Sequence, residues 1–107
     1  MITGHATILL SARLAELTRT LLRDLQNNAA QAALGLEEWD EAVRCATAVL
    51  EYESAQPKAL YRRSLARIGR AAEGDQALAR ADLKALLRVD PRNGAARKLL
   101  DGLGYVV

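Results

Sequence analysis

In 107 residues the sequence contains no Phe, two Pro, one Trp, one Cys and one His. Strands of a sandwich or barrel draw on β-branched and aromatic side chains punctuated by turn residues, and both are too scarce here for a sheet. The single Cys45 excludes an internal disulfide framework and a paired-cysteine metal or redox site. The single His5 likewise excludes a histidine metal cluster. No apolar run approaches the roughly 18 residues that a membrane span needs. Residues 1–10 show neither a basic leader region nor a clear cleavage site, so a cytoplasmic, reduced setting is expected. Charge of one sign is also lacking: 15 basic against 13 acidic residues leave +2, too mild for a nucleic-acid binder. No general acid–base pair, metal cluster or glycine-rich phosphate loop is visible, so no enzyme and no cofactor are expected.

What is abundant is Ala and Leu, and half of the residues are hydrophobic. One all-α domain is expected, built with small side chains that let helices approach closely. The chain also repeats itself. At a shift of 34, Ala30 falls on Ser64, Ala32 on Ala66, Leu34 on Ile68 and Gly35 on Gly69. Beyond three extra residues the register resumes at 37, with Ala42 on Ala79, Val49 on Leu86 and Leu50 on Leu87. A period near 34 made of two helices is the tetratricopeptide spacing.

Apolar residues at Leu14, Leu17, Leu21, Leu25, Ala29 and Ala32 predict a first helix from about Ala12 to Gly35, with Ser11 as its N-cap. Trp39 closes the following turn, and Asp40 and Glu41 make an acidic start to a second helix with Ala42, Ala46, Val49 and Leu50 inward. Pro57 opens a third, with Leu60, Ser64, Leu65 and Ile68 as its buried face. Gly74 and Asp75 break the chain before a fourth helix with a stripe of Leu78, Leu83, Leu86 and Leu87. Residues 90–93 stop it, and a fifth follows. The expected organisation is an N-terminal tail over 1–10, a partial repeat over 11–22, full repeats over 23–56 and 57–93, and a capping helix over 94–104. The small residues Ala30, Ala42, Ser64 and Ala79 mark close helix crossings. Ile8-Leu9-Leu10 and Tyr105-Val106-Val107 read as uncapped ends, so a homo-oligomer is a possible outcome.

Between Leu22 and Leu100, the runs Leu25-Gln26-Asn27-Asn28-Ala29-Ala30 and Lys58-Ala59-Leu60-Tyr61-Arg62-Arg63 resemble one class of tetratricopeptide domain. So do Trp39-Asp40-Glu41-Ala42-Val43, Ala81-Asp82-Leu83 and Asp90-Pro91-Arg92-Asn93. The class comprises large immunophilins (FK506-binding and cyclophilin-40-like prolyl isomerases) and related heat-shock co-chaperones. The resemblance implies a right-handed superhelix of antiparallel helix pairs, about five helices here. It implies that this scaffold grips the acidic C-terminal peptide of a ninety- or seventy-kilodalton heat-shock chaperone through a carboxylate clamp. By that resemblance Asn28, Lys58 and Arg62 are clamp residues; Asn27, Gln31, Tyr61 and Leu65, on the same helix faces, are expected to contact the rest of the peptide. The class carries a further Lys and Asn on an earlier helix that this sequence lacks, so the clamp is partial, with a truncated gene model or a fragment of a longer co-chaperone as the alternative.

Spacing independently places Lys58 and Arg62 on one helix face, with Asn28 one repeat from Arg62. Two cations and an amide suit a terminal carboxylate. The plainer readings are a solvated basic face for Lys58 and Arg62 and a packing amide for Asn28. Arg63, Arg67 and Arg70 are expected to form inter-helix ion pairs, with a surface for an acidic partner or phosphate as the alternative. Cys45 reads as a small core residue and His5 as part of a loose end. An oligomerising or docking fragment of a larger protein, such as an immunophilin-type prolyl isomerase, is the competing function.

Overall fold

The computed structural model describes residues 4–104. They form five helices: α1 (Gly4–Gly35), α2 (Trp39–Tyr52), α3 (Pro57–Arg70), α4 (Asp75–Val89) and α5 (Gly94–Gly102). Connections of three or four residues fold each helix back on its predecessor. α1 packs on α2, α2 on α3, α3 on α4 and α4 on α5, and α1 also reaches α3. The architecture is all-α and repeat-like.

Local chemistry sets the helix ends. Pro57 sits at the start of α3, and the Gln56 side chain accepts a hydrogen bond from the Ala59 N–H at 2.8 Å. Asn93 caps α5 the same way, accepting from the Ala96 N–H at 2.9 Å. α3 ends on Ala71 in the left-handed region (φ 53°), an unusual place for a side chain. Gly74 at φ 83° then turns the chain into α4, and the Asp75 carboxylate accepts from the Ala72 N–H at 2.9 Å.

The core is made of small residues at the crossings and a few larger ones between them. Ala30, Ala42, Ser64 and Ala79 are all fully buried, as the repeat alignment predicts. Cys45, Val49, Leu60, Leu83 and Leu86 supply the bulk. Within α3, Leu65 and Ile68 are only half-buried, and Ala59 and Ala66 take the inner positions expected of them. Leu78 of α4 is exposed, so that helix's inward stripe is Ala79, Leu83 and Leu86. Trp39 closes its turn by lying on α3, where Gly69 has no side chain. A Cβ at Gly69 would stand 2.7 Å from the indole ring.

The basic run on α3 is spent on ion pairs. Arg63 grips the Asp82 carboxylate at both oxygens, 2.9 and 2.7 Å, and Arg67 adds a third bond at 2.8 Å. Arg70 bridges Asp75 at 2.8 Å and Asp40 at 2.9 Å. Those arginines are occupied within the fold, which removes the alternative reading of Arg63, Arg67 and Arg70 as a phosphate surface.

α1 departs most from expectation. No Gly or Pro interrupts residues 5–34, so helix formers carry it unbroken from Gly4. Residues 4–10 are helix rather than tail, Ser11 is internal rather than an N-cap, and His5 lies in the first turn. No turn divides 11–22 from 23–35. Tyr105, Val106 and Val107, expected to form an uncapped end, lie outside the described residues. Only Asn27, Ala30 and Ala33 of α1 are buried. Leu14, Leu17, Leu21 and Leu25 are 50–64% exposed. At 100° per residue they lie on the face opposite the buried trio. The N-terminal half of α1 therefore projects from the bundle, and the long axis reaches 67 Å against widths of 29 and 20 Å.

Candidate functional site

Where α1 passes the start of α3, a polar hollow of about 460 Å³ opens between them. Its walls are Arg23, Asp24, Asn27 and Asn28 from α1, and Gln56, Lys58 and Arg62 from the α3 end. The three clamp residues expected from sequence, Asn28, Lys58 and Arg62, thus line one cavity. The reason is the repeat: Asn28 and Arg62 are 34 positions apart, and Lys58 and Arg62 are one turn apart on α3.

Arg62 is held in place. Its Nε donates to Gln31 Oε1 at 3.0 Å, and its Nη1 donates to the Asn27 carbonyl at 3.0 Å. Burial pushes its pKa down from the ordinary guanidinium value. Among the described residues nothing accepts from its Nη2 or from the exposed Lys58 ammonium. Arg23 is the third cation, but Asp24 and Glu53 each hold it at 3.2 Å. Those same bonds, Asp24's first, raise its pKa. Asp24 is the one carboxylate in the wall. The hollow is net positive with a preformed guanidinium, an ammonium and an exposed amide.

The groove residues divide. Gln31 is exposed beside Arg62 and positions it. Asn27 is buried rather than open to a ligand: 4% exposed, with its Nδ2 donating to Gln56 Oε1 at 3.3 Å. It is the packing amide, and Asn28 is the exposed one, because the helix turns the two 100° apart. Tyr61 faces away from this hollow into a second, apolar one of about 490 Å³ between α3 and α5, shared with Ile68, Leu99, Leu103 and Lys98. Leu65 is half-buried and lines neither. Sequence reasoning missed Gln56, whose oxygen caps α3 and also accepts from Asn27, and Asp24. The proline after Gln56 was the available signal for the first.

Elsewhere, Cys45 is buried, and burial raises its thiol pKa. Among the described residues no cluster of metal-ligating side chains occurs, and no helix is long and apolar enough to cross a membrane.

Fold and hollow together define a helical-repeat-like chain with a cationic, hydrogen-bonding cavity between successive hairpins. No family model matches the sequence. The chain is 45% identical over 83 residues to an FK506-binding protein-like protein of Rattus norvegicus, a match spanning 78% of this chain and 22% of that protein. It is 52% identical over 59 residues to an FK506-binding protein-like protein of Mus musculus, spanning 55% of this chain and 15% of that one. The chain thus has immunophilin-like homologues and spans only a minor part of the length of the relatives it matches.

Proposed function

We propose that this chain is a tetratricopeptide-type, non-catalytic scaffold whose polar hollow receives the C-terminal carboxylate of an acidic peptide, as in a heat-shock chaperone tail. The observation that carries the reading is the convergence of Asn28, Lys58 and Arg62 on one cavity. In it the Arg62 Nη2 edge and the Lys58 ammonium have no partner among the described residues. Arg62 supplies a planar edge that Gln31 and the Asn27 carbonyl hold still, so little side-chain entropy is lost on binding. Lys58 adds an unconstrained charge, and Asn28 an amide donor.

Charge-assisted bonds contribute about 1.5–3 kcal/mol each, and micromolar binding needs about 8 kcal/mol. Two cations and one amide sum to about 4.5–9 kcal/mol, and the cost of ordering a flexible peptide takes from that, which leaves weak binding at high-micromolar to millimolar dissociation constants. The test is titration of a peptide ending Glu-Glu-Val-Asp against the same peptide amidated at its C-terminus. The free acid should bind about tenfold tighter, and Lys58→Ala should erase that difference while leaving the unfolding midpoint unchanged. Equal affinities for the two peptides would refute the clamp.

A second reading is favoured by the small share of the FK506-binding protein-like relatives that the chain spans. In it the chain is a docking segment of an immunophilin-type protein, and prolyl isomerase activity resides outside these residues. Under that reading the isolated chain does not distinguish the two peptides.

A further inference from the structure

The exposed leucine face of α1 is spaced in a way that the peptide-binding reading does not use. Leu10, Leu14, Leu17 and Leu21 follow one another at intervals of four, three and four. This is the alternation of a two-helix seam, and all four are at least half exposed. The series is also symmetric about a point between residues 15 and 16. Two copies laid antiparallel therefore set Leu10 against Leu21 of the other copy and Leu14 against its Leu17, both pairs twice. We infer that α1 of one chain pairs with α1 of a second copy in an antiparallel, two-fold seam through Leu10, Leu14, Leu17 and Leu21.

Area and charge argue for this occupant. At about 30 Å² per methylene-sized group, the exposed parts of these leucines and Leu25 amount to about 700 Å² over two copies. With homodimer interfaces about 65% apolar, that scales to roughly 1,080 Å², at the ~1,000 Å² threshold that marks a specific interface. Orientation follows from Asp24, which continues the leucine face toward the bundle. A parallel pair would set Asp24 against its own copy, like charges on the seam offset only by each copy's own Arg23 at 3.2 Å. The antiparallel pair carries it to the first turn of the partner's helix. There the macrodipole is positive, and the first turn of α1 has no acidic residue of its own. The bundles then sit at opposite ends and on outer faces, because Asn27, Ala30 and Ala33 bind α2 and α3 from the far side of α1.

Sedimentation equilibrium of the full chain over a concentration series should show a monomer–dimer equilibrium in the micromolar range. Leu14→Asp/Leu17→Asp, both at exposed sites, should weaken it at least about 100-fold by burying charge while helical content by circular dichroism stays constant. Orientation is read by disulfide trapping. A mixture of Leu10→Cys and Leu21→Cys chains should cross-link to a mixed dimer. Neither alone should do so, since like positions then lie about 16 Å apart along the seam. A monomer at hundreds of micromolar overturns the inference and assigns the face to another segment or protein. A dimer that survives the double substitution, or cross-linking of Leu10→Cys with itself, overturns it equally.

Discussion

Asp82 is where a single side chain decides most. Its carboxylate, 6% exposed, takes Arg63 and Arg67 of α3 at once, and Arg63 reaches on to Thr47 Oγ1 of α2 at 3.3 Å. Asp82→Ala leaves two part-buried guanidiniums facing each other and should cost about 3–5 kcal/mol, measured by urea unfolding. Asp82→Asn, which keeps the acceptor oxygen, should cost less. Asp75 offers a pH signature. The bond from Arg70 holds its carboxyl at about 2, against an ordinary 3.8. A depressed carboxyl contributes stability that is present above pH 4 and lost as pH falls from about 4 to 2. Asp75→Asn should therefore be less stable at neutral pH and flatter across that acid window. The basic run on α3 was legible in the sequence, but two of its partners lie on α4 and appear only once the hairpin closes. The exposed and buried members of the Asn27–Asn28 pair were equally beyond sequence, because one helical step separates an exposed amide from a packing one.

Among the elements, the start of each helix from α2 onward was readable because its punctuation is chemical: Pro57 after a capping Gln56, Gly74 before Asp75, Asn93 before α5. The end of α3 breaks its own rule, since Ala71 occupies a left-handed conformation that suits glycine. Ala71→Gly should relieve about 1–2 kcal/mol of Cβ strain against about 0.5–1 kcal/mol of added unfolded-state entropy. The expected outcome is a small rise in the thermal midpoint. α1 was the element least legible. Its strongest periodicity marks leucines that face outward, and its inward face is written in Asn27, Ala30 and Ala33. Small residues bury little area and give a faint periodic signal, yet they are what close helix approach selects. Hydrophobic spacing thus located the helix without telling which side meets the bundle.

At the scale of the molecule, a bundle carries a projecting arm. The Cα radius of gyration is 17.0 Å, against about 13 Å for a compact chain of this length. In dilute solution, amides of residues 5–20 should exchange with solvent far faster than those of residues 24–34, as followed by hydrogen–deuterium exchange. Raising the protein concentration should slow the first set if the leucine seam forms. The bundle itself was legible as a stack of hairpins because each repeat brings its own small residues to the crossing. What the repeat could not convey is that the first hairpin begins in the middle of a longer helix.

The indole of Trp39 rests on the bare backbone of Gly69, at the junction of the two hairpins and far from either end of the stack. It is also the only tryptophan in the sequence. Its fluorescence is therefore a built-in gauge of one internal joint. On gentle heating, fraying that starts at the arm or at α5 would lower ellipticity while the emission maximum holds, and a red shift would record the moment at which the hairpins part.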